Sequence, residues 1–196
     1  MPGAGRRGAV SRITNETSIE LRVDLDGGAI DVASSVDFLN HMLATFAKHS
    51  GCGLYVRAQG DGMDNHHVIE DVGIALGKAV YEALGDKRGI ARFGSMTVPL
   101  DEALVSATID ISGRPYLNFS VSFLRQDLGQ MPTEMVGEFF RAFSDNARVT
   151  LHIVQQHGHV AHHVCEASFK AFARAFAQAK RAEGDGTVPS TKGVIE

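Results

Sequence analysis

Tryptophan is absent, and the 196 residues hold only three tyrosines and two cysteines. Cys52 and Cys165 stand far apart, each in an apolar setting. That excludes a disulfide framework and predicts two reduced, buried thiols in a reducing compartment. No apolar stretch approaches the ~20 residues that cross a bilayer. The opening "MPGAGRRGAVSR" carries arginines with no apolar run behind them, so it does not read as a signal peptide, and a cytoplasmic location is expected. Positive charge is not in excess: 19 Lys and Arg against 23 Asp and Glu leave a net −4. Neither nucleic acid nor an anionic membrane is therefore an expected partner. There is no P-loop, and nucleotide binding is not indicated. The 44% apolar and 21% charged shares are those of a soluble globular protein, with length for one domain or two small halves sharing a core.

Histidine is abundant by contrast, with nine residues, six of them in or close to two similar segments. "DNHHVIEDVG" spans 64–73 and "VAHHVCEASF" spans 160–169. On a helix, His66 and His67 lie four and three residues before Glu70, so all three reach one side, and the same holds for His162, His163 and Glu166. Imidazole with carboxylate suits a divalent ion of borderline hardness, Mn, Fe, Co or Zn. Adjacent histidines on a regular helix do not easily share one ion, so each pair serves two more naturally. A zincin protease places its glutamate between the histidines, and ferritin-like sites use Glu-x-x-His on long uninterrupted helices. Neither order is found here.

Residues 1–8 read as a mobile tail. "SIELRVDLDGGAIDVAS" alternates around Gly27-Gly28 as a hairpin does. A helix follows in "SVDFLNHMLATFAKHSG", with Ser34 or Ser35 as N-cap and Gly51 as stop, and then a strand in "CGLYVRAQGD". Apolar residues at 68, 72, 75, 76, 79, 80, 83 and 84 mark an amphipathic helix from Asn65 to Leu84, ended by Gly85. The second half repeats this order. Two strands flank Asp101-Glu102, "RPYLNFSVSF" is a third, Thr133 opens a helix, "RVTLHIVQQHG" is a strand, and a closing helix runs over 161–184. The expectation is an α+β fold of two duplicated halves, 9–93 and 94–196, with antiparallel sheets packed on a layer of helices.

Several blocks in one order carry a closer likeness: "RITNETSIEL", "FLNHML", "DNHHVIEDVGIALGKA", "ALGDKRGIARFG", "PLDEAL", "DISGRPYLNF", "TEMVGEFFRAF", "VTLHI", "HHVCEASFKAFARA" and "PSTKGV". Over about residues 11–196 the chain resembles the imidazoleglycerol-phosphate dehydratase family of histidine biosynthesis. The resemblance implies a ribosomal protein S5 domain 2-like fold and two Mn ions per site, each held by three histidines and one carboxylate. The matching positions are His41, His66, His67, Glu70, His152, His162, His163 and Glu166. It also implies a 24-mer with sites between subunits, so that a homo-oligomer is the expected partner.

The reaction implied is loss of water from imidazole glycerol phosphate, giving imidazole acetol phosphate through a metal-stabilised imidazolate and a diazafulvene-like intermediate. The proton on C2 has no neighbouring carbonyl to acidify it, so stabilisation of charge on the ring is the chief demand. The family's acid/base matches Glu16, and a position in its substrate pocket matches His49. Its phosphate-binding positions match Arg92, Arg114, Lys170, Ser190 and Lys192, with the C-terminal stretch serving as a substrate-binding tail. The chain departs from the family at Asn40 and Asn65, where aspartate is usual beside a ligand, and at Val160, Ala161 and Val164 around the second pair. The asparagines are expected to alter how the neighbouring imidazoles are oriented. A metal-storage protein is the competing reading, against which the phosphate-binding set argues.

Overall fold

The computed structural model describes residues 5–184 and 186–195. In chain order the first half holds β1 (Arg7–Ile13), β2 (Thr17–Asp24), β3 (Ile30–Ser34), α1 (Asp37–Ser50), β4 (Gly53–Gly60) and α2 (Asn65–Leu84). The second holds β5 (Phe93–Leu100), β6 (Ala103–Asp110), β7 (Tyr116–Ser120), the short β8 (Asp127–Leu128) and β9 (Met131–Pro132), α3 (Glu134–Ala147), β10 (Thr150–His157) and α4 (Ala161–Ala179). The sheet orders match: β1-β2-β4-β3 in one half and β5-β6-β10-β7 in the other, with β8 and β9 as a separate pair. The duplicated α+β architecture thus stands, and each four-stranded sheet is mixed, because β3 and β7 run parallel to β4 and β10.

Three expectations need correction. The strands around Gly27-Gly28 are no hairpin: β4 inserts between them, antiparallel to β2 and parallel to β3. The glycines still make the turn, with φ of 119° and 143°. They let the chain cross the end of β4, where a Cβ on Gly53 would stand 2.9 Å from the Gly27 carbonyl oxygen. The tail expected over 1–8 ends earlier, since β1 begins at Arg7 and Arg6 donates from Nε to Asp26 (3.1 Å) and from Nη1 to the Lys180 carbonyl (2.6 Å); residues 1–4 lie outside the described residues. The closing helix stops at Ala179, not 184. Lys180 turns inward to the Leu25 carbonyl, and Ala182 bridges to Ile90.

Helices and sheets close on one core. α2 lies on β1 and β2, α4 on β5 and β6, while α2 also packs on α3 and α1 on α4. Buried residues of both halves form a single cluster, in which Phe46 of α1 stacks on Phe172 of α4 at 5.2 Å. Each half uses one glycine to bring its first strand onto a helix. A Cβ on Gly8 would stand 1.9 Å from the Ala79 carbonyl oxygen, and one on Gly94 1.9 Å from that of Ala175. Gly94→Ala should therefore cost about 3 kcal/mol, the upper part of the usual overpacking range. Urea denaturation checks this, and an unchanged midpoint would contradict the contact.

Candidate metal centre and anion pocket

The packing of α1 on α4 brings His41 opposite the first turn of α4. His41 Nε2 lies 3.4 Å from Glu166 Oε2, and His162 Nε2 lies 3.1 Å from the same oxygen. Phe38 presents its edge to both rings, at 6.3 and 5.3 Å. One donor atom from each of the three residues falls within 4.8 Å of the others. The second Glu166 oxygen is held by Lys170 at 2.8 Å. Burial raises the Glu166 pKa, but the Lys170 hydrogen bond and His41 outweigh it, so the net shift is downward and the group stays anionic. Two imidazole nitrogens and an ionised carboxylate at this spacing fit a divalent ion such as Mn.

Of the eight nominated ligands, only these three meet among the described residues. His66 and Glu70 repeat half of the pattern on α2, with Nε2 and Oε2 3.5 Å apart. The other Glu70 oxygen is held by Arg141 of α3 at 2.8 Å, as Lys170 holds Glu166. His67 Nδ1 is buried without a hydrogen bond, because Asp61 stands 3.4 Å away in poor alignment. His163 Nδ1 faces Glu102 at 2.7 Å. His152 projects from the outer face of the second sheet, beside Tyr116, between the buried Leu151 and Ile153. It points away from the helices that carry the rest.

The nominated acid/base groups are placed differently. Glu16 occupies the exposed turn between β1 and β2, where its main-chain N–H donates to Thr14 Oγ1. Its carboxylate has no partner among the described residues. His49 sits half-buried in the last turn of α1. Burial pushes its pKa down, and Lys170 and Arg174 add to this, so the ring is a neutral proton acceptor at pH 7.

Arg92, Arg114, Ser190 and Lys192 line a single cavity of about 650 Å³ together with Ser112. Lys170, nominated with them, is absent from its lining and lies on α4, where its ammonium is 2.8 Å from Glu166. The Arg92 guanidinium is already engaged, bidentate to Asp110 at 2.7 and 3.1 Å and donating to the Pro189 carbonyl at 2.8 Å. It thereby fixes the C-terminal segment against the cavity. Arg114 is exposed and donates weakly to the Ser112 carbonyl at 3.4 Å. Another concavity, of about 450 Å³ beside Gly27 and Gly28, contains none of the nominated residues.

The asparagine departures have a structural use. Asn40 Oδ1 accepts from Ser34 N (2.8 Å) and Oγ (2.7 Å), while Nδ2 donates to the Ser34 carbonyl (3.2 Å). Asn65 Nδ2 donates to the Gln130 carbonyl at 2.8 Å. A carboxylate could make neither donation. Both amides thus fasten the starts of helices rather than orient the adjacent histidines. Sequence reasoning passed over Glu102, Asp110 and Arg141; the "DE" of "PLDEAL" was visible, but a turn carboxylate gives no signal of its partner.

A family model described as Imidazoleglycerol-phosphate dehydratase matches residues 34–176, a span that holds all eight nominated ligands but not Glu16, Ser190 or Lys192. Imidazoleglycerol-phosphate dehydratase of Acidiphilium cryptum (strain JF-5) is 52% identical, over 97% of this chain and 99% of that protein. The chloroplastic imidazoleglycerol-phosphate dehydratase 1 of Arabidopsis thaliana is 45% identical, over 97% of this chain and 72% of its own length. The crystal structure of imidazoleglycerol-phosphate dehydratase from Staphylococcus aureus subsp. aureus N315 superimposes with a TM-score of 0.83, at 42% identity over 90% of this chain and 99% of that one. This chain belongs to the imidazoleglycerol-phosphate dehydratase family.

Proposed function

We propose that the chain is a Mn-dependent hydro-lyase of histidine biosynthesis, converting D-erythro-imidazole glycerol phosphate to imidazole acetol phosphate and water. The observation that carries this reading is the pairing of a two-histidine, one-glutamate donor set with a separate cavity of arginine, lysine and serine. A metal-storage protein has use for the first and none for the second. Bound divalent ions would supply Lewis acidity to the imidazole ring and a hydroxyl of the substrate. Glu16, unengaged and exposed, takes the proton from carbon, and neutral His49 assists proton movement. Arg114 and Lys192 hold the phosphate, while Arg92 keeps their segment in place.

The ligand set divides between surfaces that do not meet within one chain, which supports sites shared between copies. His41, His162 and Glu166 form one part, and His66, His67, Glu70, His163 and His152 reach an ion together with donors of neighbouring chains. A 24-mer in the cytoplasm is the assembly this reading carries. The test is incubation of Mn-loaded protein with imidazole glycerol phosphate, with detection of the ketone product. Tight Mn binding with no product would favour storage instead.

A further inference from the structure

The hairpin turns of the two halves are equivalent positions with different occupations. Gly8 and Gly94 mark the same strand site, since each admits a helix carbonyl at the same distance. Counting along the paired strands from these glycines places Glu16 and Glu102 at the same turn position. Glu16 has an unpartnered carboxylate among the described residues. Glu102 is fully engaged: Oε1 accepts the main-chain N–H of Val160 (2.8 Å) and of His159 (3.2 Å), just before α4, and Oε2 faces His163 Nδ1 at 2.7 Å.

We propose that Glu102 is a positioning residue that holds His163 as the Nδ1–H tautomer, leaving the Nε2 lone pair for a metal ion. This rests on the functional reading above for His163 being a ligand. A carboxylate accepts only, so at the neutral imidazole Nδ1 must donate, and Nε2 is then the acceptor. Exposed Asp101 stands 3.6 Å from Nε2, too far for a hydrogen bond. Two main-chain donors fix the carboxylate itself, so the ring is oriented by the hairpin rather than by its own helix. Among the described residues of the first half there is no such device: Asp61 lies 3.4 Å from His67 Nδ1 without making a hydrogen bond, and Glu16 meets neither histidine of its pair. Duplication has thus left one turn carboxylate to orient a ligand and the other free to move protons.

Glu102→Gln is the informative change, because its single oxygen can serve the main-chain donors or the imidazole but not both. Two readouts are independent of turnover. The first is nitrogen NMR of metal-free protein at a pH where His163 is neutral: wild type should carry the proton on Nδ1, and E102Q should shift toward Nε2–H. The second is Mn affinity, expected to fall about 10- to 100-fold in E102Q. In an H163A background the same change should add nothing further. Nε2–H in wild type, unchanged Mn affinity in E102Q, or an equal loss with and without His163 would each overturn the assignment. A wild type that binds no Mn would defeat the functional reading, and the tautomer would still decide this one.

Discussion

Glu16→Gln should lower turnover of Mn-loaded protein by roughly 100- to 10,000-fold, the range expected for removing a general acid/base. Thermal stability and bound Mn should stay as they are. The carboxylate is exposed and has no hydrogen bond or ion pair among the described residues, so its loss removes no contact and leaves no buried group unsatisfied. The main-chain bond to Thr14 is retained in the variant. Steady-state kinetics with imidazole glycerol phosphate checks the size of the loss. Wild-type turnover in E16Q would remove Glu16 from the reaction and leave His49 as the remaining nominated proton acceptor.

Removing a ligand should act on the metal and on the assembly together. His162→Ala deletes one of three donors that lie within 4.8 Å of each other, and Mn affinity of that cluster should fall by at least about 100-fold. His67→Ala should reduce bound Mn by roughly half or more. Both variants should be inactive alone. If sites are shared between copies, mixing the two and reassembling them with Mn should restore activity, because an intact His162 from one chain can meet an intact His67 from another. Metal should also favour the assembled state, since ions binding only between copies stabilise that state by mass action. Elemental analysis, light scattering and activity of the mixture check these points. An inactive mixture of well-assembled chains would place each complete site within one chain. Affinity should also weaken as pH falls, because an imidazole must shed its proton to ligate. The effect should be strong at His163, whose pKa is raised chiefly by its hydrogen bond to Glu102.

Local signals in the sequence located the four helices but not every end: Val36, not Ser34 or Ser35, precedes α1 and makes no side-chain cap, and α4 stops at Ala179. Asn65–Leu84 is read from its apolar spacing, and the structure adds Asp64, whose side chain caps it by accepting from His66 N at 2.9 Å. What the sequence could not supply is partners. Gly27-Gly28 announces a turn, yet nothing in the alternation around it says that β4 will enter between the flanking strands. In the doubled His-His-x-x-Glu the i, i+4 pairs are legible because that spacing is local, whereas His67 and His163, at i, i+3, face Asp61 and Glu102 rather than the glutamates of their own helices. That His41 joins His162 and Glu166, and not their counterparts on α2, follows from the packing of α1 on α4. Lys170 shows the same limit: its type says nothing of the ion pair that it makes with Glu166, one turn away on α4.

The most direct measurement is a titration of Mn into metal-free protein, following bound metal and dehydration of imidazole glycerol phosphate in the same samples. The account predicts no turnover without metal and activity that rises with occupancy until two ions are bound per site. Full turnover in the metal-free protein, or saturating Mn without product, would contradict it.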